Sequence, residues 1–561
     1  MARGLEPADL LIKNARIVDV YNAAVVEGSV ALAGEHIAAL GDRPALSVLD
    51  LGGRYLTPGL ADGHIHIEST MGTPASFSRA AVARGTTFVA ADPHEIANVL
   101  GAAGIRYMLD QTQLSAMHIF YMAPSCVPAS DLETAAARLA AAELAPFLDH
   151  DRVLGLAEMM NFPGVLACDR DVLEKIAAAR RRRKRVDGHA PLLTGPGLSA
   201  YVAAGITSDH ECSHPDEARE KLSSGMHIMI RQGTAAKNLP DLVPIVTPAN
   251  LHRIMFCSDD RHPYDLCSEG HMDAIVRLAV EHGMDPVMAV IAATHNPARY
   301  FGLHDRGSVA PGRRADLVVA SDLKRFTAEM VFFGGRLAAQ NGTPVEEEKH
   351  SRGQNAPTAI RVDPAALSFL IPAAGESAHV IQVIPGQVLT GRATARIPIK
   401  NGLAQADPAS DIAKLAVVES HLMTGNVGRG FVTGLGLARG AIASSVAHDA
   451  HNIIVAGAND DDMRAAVLAI CEMGGGMAAA LDGNILETLA LPVAGLMSEA
   501  PMQEIAQSLT RLIQAARDLG VTAPDPFMTL SFLALSVIPH LKLTDRGLVD
   551  VDSFSIVPLF V

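Results

Sequence analysis

The sequence predicts an α/β protein: a (β/α)8 TIM-like barrel, a small β-sandwich domain built from both flanks of that barrel, and a C-terminal α/β (or α+β) domain. Three observations carry this expectation. Eight short apolar segments between residues 57 and 303 each run into polar residues, and helical stretches separate most of them. Alternating, glycine-punctuated segments lie on both sides of that region. A charged, small-residue stretch at 345–357 has the composition of a linker and precedes a further region of mixed strands and helices.

Taken in order, Leu10–Val20 alternates apolar and polar residues, and Ser29–Ala33 and His36–Leu40 follow as short antiparallel strands. The same texture returns at Ala315–Ala320 and Met330–Leu337, so residues 1–56 and 304–344 are expected to form one small β domain. The eight barrel strands are read at Leu60–Ile67, Thr87–Pro93, His118–Pro124, Val153–Met159, Arg185–His189, Ile206–His210, His227–Ile230 and Arg253–Asp259. After the first, Thr73 is an N-cap with Pro74 behind it; Phe77, Ala80 and Ala81 share one face, and Gly85 stops the helix. After the last, His271–Glu281 is helical and Gly283 ends it. The spacings on either side of the sixth strand are short and predict abbreviated helices. An open doubly wound sheet is the competing layout for 57–303. Residues 358–561 contain strands at Val380–Ile384, Ala413–Val418 and Ile453–Ala456 and helices at Asp461–Glu472 and Met502–Leu519.

Composition narrows the function. A length of 561 residues fits about three domains. With a net charge of −15, neither a nucleic-acid backbone nor an anionic membrane is expected as partner. The chain has no Trp and only 4% aromatics, which disfavours a base-stacking platform. Six scattered cysteines contain no C-x-x-C, so neither a zinc ribbon nor a disulfide scaffold is expected. No secretory leader or membrane span is read, and the expected location is the cytoplasm.

Function in such a barrel sits at the carboxyl ends of the strands. The first strand ends His64-Ile65-His66, which puts both imidazoles on one face. The fourth ends with Glu158, the fifth with His189, the sixth with His210 and the eighth with Asp259. A single buried histidine is ordinarily a hydrogen-bonded core residue. Four histidines and two carboxylates at one rim are costly to bury unpaired. Such nitrogen and oxygen ligands, without cysteine, suit one or two ions of zinc, manganese or iron.

These motifs also carry a resemblance. Thr57-Pro58-Gly59-Leu60-Ala61-Asp62-Gly63-His64-Ile65-His66 resembles the opening strand of the amidohydrolase superfamily. Asp92-Pro93-His94-Glu95, Glu158-Met159-Met160-Asn161, Asp187-Gly188-His189, Ser208-Asp209-His210-Glu211, Cys257-Ser258-Asp259-Asp260 and the late His448-Asp449-Ala450-His451 together look like the bacterial adenine deaminases. The resemblance implies hydrolysis of adenine to hypoxanthine and ammonia by a metal-activated hydroxide, in purine salvage. It implies two divalent ions, manganese first and iron or zinc as alternatives. His64, His66 and Asp259 would hold one ion, His189 and His210 the other, with Glu158 between them. Asp259 would carry the water proton to the departing amine, Glu158 would serve a ring nitrogen, and His210 would orient or polarise. A homodimer is expected by analogy.

Other residues have more than one reading. Glu68, His94, Glu95, Asp260 and Arg261 touch substrate or order their own loops. His448 and His451 belong to a second metal site, a loop over the barrel mouth, or a hydrogen-bonded turn. His94-Glu95-Ile96-Ala97-Asn98 lacks the second histidine of a metalloprotease helix. The basic run Arg180–Arg185 reads as a solvated helix end. Rival functions are a deaminase of another aminated heterocycle, a cyclic-amide hydrolase and a non-enzymatic purine-binding protein. Cyclic-amide hydrolases commonly bridge their metals with a carboxylated lysine on the fourth strand, where this chain has Glu158.

Overall fold

A computed structural model describes residues 1–345, 359–385 and 387–561. Of the expected linker only Val345 is included; 346–357 lie outside the described residues.

Alternating apolar residues organise both flanks. Ala8–Asp19, Ala24–Ala33, His36–Leu40, Ala45–Asp50 and Tyr55–Pro58 join Leu317–Ala320, Met330–Phe333, Arg336–Gln340 and Thr343–Pro344 in one nine-stranded sheet. The join is antiparallel, with Thr57 opposite Val318. Its inward residues, including Ile12, Ile17, Val30, Leu56 and Leu317, make a core of their own.

Between the flanks run eight parallel strands: β1 (Leu60–Ile65), β2 (Thr86–Ala91), β3 (His118–Ala123), β4 (Val153–Met159), β5 (Arg185–Gly188), β6 (Ser208–Asp209), β7 (His227–Arg231) and β8 (Ile254–Cys257). The first five form one sheet in sequential order and the last three another. The two approach each other at both seams. Thr207 N donates to Val186 O at 2.9 Å; across the other seam Asp259 N donates to His64 O at 3.0 Å and His66 N to Asp259 O at 3.3 Å. The parallel sheet therefore curls.

Local chemistry explains the connections. The helix Pro74–Val82 starts on Thr73, whose side chain accepts from Ser76 N, and Gly85 turns out of it at φ +86°. The helices on either side of β6, Gly195–Ala204 and Pro215–Ser223, are no shorter than Pro74–Val82, so the expected abbreviation is not found. β6 is only two residues long; Ile206, Thr207 and His210 of the expected Ile206–His210 strand lie outside it. The basic run closes the helix Arg170–Arg181: Arg182 clasps Asp149 at 2.6 and 2.9 Å, and Arg185 reaches Tyr300 O at 2.7 Å.

The C-terminal region holds an eight-stranded sheet, with Ile412–Val418 and Ile453–Gly457 among its central strands. The helix Asp460–Met473 packs against that sheet. The helix Met502–Asp518 lies on the helix Pro263–Ser268. One apolar core runs from Ile65, Met71 and Phe77 under the parallel sheet to Met497, Met502 and Leu530 of the C-terminal region. Backbone bonds stitch the junction: Ser498 N to Met71 O at 2.8 Å and Thr73 N to Ser498 O at 3.2 Å. No helix among the described residues is long and apolar enough to cross a membrane.

Gly188 shows how tightly this frame sets the site. A Cβ there would lie 2.3 Å from Ser208 O and 2.8 Å from Ile206 Cγ2. Gly188→Ala must push β5 away from β6 and move His189 with it. The expected outcome is a loss of activity of about tenfold or more, because small misplacements of reacting groups are costly. Steady-state assays, with circular dichroism to confirm the fold, check this.

Candidate active site

The carboxyl ends of β1, β4, β5, β6 and β8 converge as expected. His64 Nε2 and His66 Nε2 are 3.1 Å apart. Asp259 Oδ1 lies 3.4 Å from the first and 3.2 Å from the second. Glu158 stands between two groups. Its Oε1 is 3.2 Å from His66 Nε2, while its Oε2 is 2.6 Å from His189 Nδ1 and 3.1 Å from His210 Nε2. His64 and His210 stack with ring centroids 4.2 Å apart. Asp259 sits in the left-handed region at φ +57°, a strained conformation for a non-glycine residue, next to the bridge that pairs it with Ile65.

The donor set fits divalent cations. His66 Nδ1 donates to Asp92 O at 3.1 Å, so in the neutral ring Nε2 presents a lone pair to His64 and the carboxylates. His210 Nε2 is buried and has no hydrogen-bond partner. Electron-pair donors that face each other at these distances need a positive charge among them. Triads His64–His66–Asp259, His64–Glu158–His210 and His189–His210–Glu211 each bring ligand atoms within 4.8 Å of one another.

The electrostatics agree. Burial opposes charge on His66, yet Asp259 and Glu158 hold it well above the usual histidine range. Burial also opposes charge on His210, yet Glu158 lifts it to about 9. Against its own burial, Glu158 is held well below the usual carboxylate range by His189 and His210.

Two partners escaped the sequence reading. Arg231, at the end of β7, donates through Nη1 to Asp259 Oδ2 at 2.8 Å and clasps both oxygens of Glu211. The strand-end rule that found the histidines points equally to Arg231, one residue beyond the predicted end of β7. Glu211 follows His210 and lies 3.8 Å from His189 Nδ1. Asp259 is pulled well below the usual carboxylate range by Arg231, against the opposing effect of burial.

A cavity opens above this cluster. His94, Glu95 and Asp260 line it, with His448 from the C-terminal region. Ser69 Oγ ties Glu95 to Asp260, at 3.0 and 2.5 Å. Glu68 is buried alongside, accepts from Ile96 N at 3.3 Å, and is lifted by burial to about 7. His94 bonds Asp92 through Nδ1 at 3.0 Å and turns Nε2 toward Asp449, 3.9 Å away. His451 stands behind His448, its Nδ1 accepting from Ala447 N at 3.2 Å. Arg261 lies apart: its guanidinium is taken up by Glu269 at 2.9 Å and by Gly270 O at 3.0 Å.

The C-terminal region supplies the apolar wall, with Val388, Phe532 and Ile538. Phe532 stacks on His448 at 4.8 Å and 15°. The buried Lys542 ammonium grips Val388 O at 2.9 Å and Phe532 O at 2.8 Å, and burial lowers its pKa to about 7.

Residues 55–338 match the model of the amidohydrolase family, and residues 387–555 match that of the adenine deaminase C-terminal domain. The chain is 53% identical over 559 residues to the adenine deaminase of Desulfatibacillum aliphaticivorans, covering 100% of this chain and 98% of that one. The chain belongs to the adenine deaminase family. It is 48% identical to the adenine deaminase of Nitratidesulfovibrio vulgaris strain DP4, covering 99% of this chain and 97% of the other. To that of Methylobacterium nodulans it is 46% identical, covering 98% and 97%. Like these relatives it is a hydrolase of the amidohydrolase fold, and adenine deamination is its reaction.

Arg231 is the test of the buried charge network. Arg231→Met leaves Asp259 and Glu211 without their cation, and removing one partner from a buried pair costs about 3–5 kcal/mol. The variant is expected to unfold at a clearly lower urea concentration and to lose most of its turnover.

Proposed function

We propose that this adenine deaminase works with two divalent cations, manganese by preference, held by six side chains. His64, His66 and Asp259 would hold one cation, His189 and His210 the other, and Glu158 would reach both. The observation that carries this reading is the division of Glu158, one oxygen toward His66 and the other toward His189 and His210. Bound cations would supply Lewis acidity that lowers the pKa of water into the neutral range.

The protein's own groups then handle the protons. Adenine enters the cavity as a flat, largely apolar ring between Phe532, Ile538 and the cluster below. Asp259, oriented by Arg231 and kept ionised, takes the proton of the attacking water and passes it to the exocyclic amine, which leaves as ammonia. Glu158 faces the same space and serves the ring nitrogen, and His210 orients the reacting groups. Glu68, His94, Glu95, Asp260 and His448 read the edge of the purine, with His451 behind them. The rival cyclic-amide reading finds a glutamate where its bridging lysine should stand.

The frame belongs to the same proposal. The bonds at Val186–Thr207 and His64–Asp259 support one closed eight-stranded barrel over residues 57–303. The flanking sheet of 1–56 and 304–344 is a separate β unit, and 358–561 is the domain that roofs the cavity. Six unpaired cysteines suit a reducing cytoplasm and a role in purine salvage.

Two measurements test the chemistry. Asp259→Asn is expected to retain the fold but to lose at least about a thousandfold in kcat, the scale of a general acid–base group; near-normal ammonia release would overturn its role. Dialysis against a chelator should abolish ammonia release, and manganese should restore it. Metal analysis of the restored protein is expected to find two ions per chain, and a single ion would overturn the binuclear reading.

A further inference from the structure

At the opposite end of the parallel strands lies a second cavity, which shares no lining residue with the first. It opens near the amino-terminal halves of β2 and β3, where Phe88 and Phe120 point toward Arg306. Its polar lining is Tyr21, His295, Arg299, His304, Arg306 and Arg313, and no acidic residue lines it. In a chain with a net charge of −15, that local excess of positive charge is unusual.

The guanidiniums are only partly satisfied. Arg306 is buried, with its ring-facing plane 5.0 Å from the Phe120 centroid and 5.7 Å from that of Phe88. Its Nε and Nη2 bind the two Asp305 oxygens at 2.9 Å each, and its buried Nη1 has no hydrogen-bond partner. Arg299 is exposed and has no partner among the described residues. Arg313 spends one nitrogen on His304 O and holds the other 3.5 Å from the Tyr21 hydroxyl. Tyr21 is fixed from below by Ser308 at 2.9 Å and from the side by the His295 ring, 5.3 Å away. Burial and the neighbouring Arg299 and Arg313 push His295 below its ordinary pKa, which places three cationic groups on one patch.

We propose that this cavity is a second ligand site, for a phosphate group, free or carried as a monoester. Arg299 and Arg313 offer forked donors that match phosphate oxygens, Arg306 adds its charge at the base, and the Tyr21 hydroxyl supplies a further donor at the rim. A dianion offsets the repulsion among the three guanidiniums, of which Asp305 neutralises only one.

Calorimetric titration of the full-length protein tests this, with inorganic phosphate and ribose 5-phosphate as probes and chloride at matched ionic strength as reference. Neither probe carries a purine, so the adenine pocket does not confuse the result. Saturable binding is expected for wild type. Binding should weaken by about tenfold or more in Arg299→Ala/Arg313→Ala, since charge-assisted forks are lost. Adenine turnover in phosphate-free buffer should not change. Arg299→Ala alone removes an exposed, unpartnered side chain and serves where the double variant fails to fold. Tighter binding of ribose 5-phosphate identifies a monoester as the ligand, and equal or weaker binding identifies free phosphate. Absence of saturable binding by wild type, or binding undiminished in both variants, overturns the proposal.

Discussion

The structure depends on a crowd of electron-pair donors held largely out of solvent. Four imidazoles and the carboxylates of Glu158 and Asp259 meet within a few ångströms, all of them largely buried. Such a group is unstable unless positive charge enters it. Glu158, Glu211 and Asp259 favour such charge, which is why His66, His189 and His210 all lie above the ordinary histidine range despite burial. Protons and divalent cations compete for the same lone pairs. The affinity that holds an ion and the basicity that moves a proton therefore have one origin. Arg231 stands outside this competition. Its charge is permanent, so Asp259 and Glu211 keep a cationic partner whatever occupies the histidines.

Holding mutually repelling groups in place takes a stiff support, and the polar layer beneath the ligands provides it. Asp62 accepts from Ser258 N at 3.1 Å and Ser258 Oγ at 2.5 Å, and His271 approaches it at 3.1 Å, so β1 and β8 cannot slide past each other. Asp187 accepts from Tyr300 at 2.6 Å and Ser208 at 2.9 Å, which locks β5 to β6. Lys221 joins Asp209 to Glu217 of its own helix, Pro215–Ser223. His64, His66, His189, His210 and Asp259 therefore stand at the ends of strands tied by buried hydrogen bonds as well as by apolar packing. Directional bonds suit this task, because apolar contacts tolerate sliding that would displace the clustered side chains.

How much of this was readable follows from what each feature depends on. The His64–His66 pair was legible because period-two alternation places both rings on one face whatever surrounds them. Glu158, His189, His210 and Asp259 were legible because strand ends are marked by the change from apolar to polar residues. The flanking sheet was legible from two matching stretches of alternation. Arg231 was missed because its meaning depends on which carboxylates face it across the sheet. Phe532, Val388 and Lys542 were out of reach because their role arises only when a distant region docks, and nothing local distinguishes a wall phenylalanine from a core one. Arg261 carried two readings, substrate contact or the ordering of its own loop, and the pairing of its guanidinium with Glu269 and Gly270 favours the loop.

That docked region answers a problem the parallel sheet cannot solve alone. A rim of histidines and carboxylates attracts water, and a planar base would compete poorly for such a surface. Val388, Phe532 and Ile538 turn one side of the cavity apolar while the ligands stay polar below. Lys542 makes that wall one body, since a single ammonium holds the backbone of both Val388 and Phe532. The helix Met502–Asp518 and the shared core then fix the wall to the sheet. Excluding water strengthens every charge interaction inside the cavity. The same closure that favours a flat base therefore sharpens the electrostatics that act on it, so one packing surface serves both recognition and chemistry.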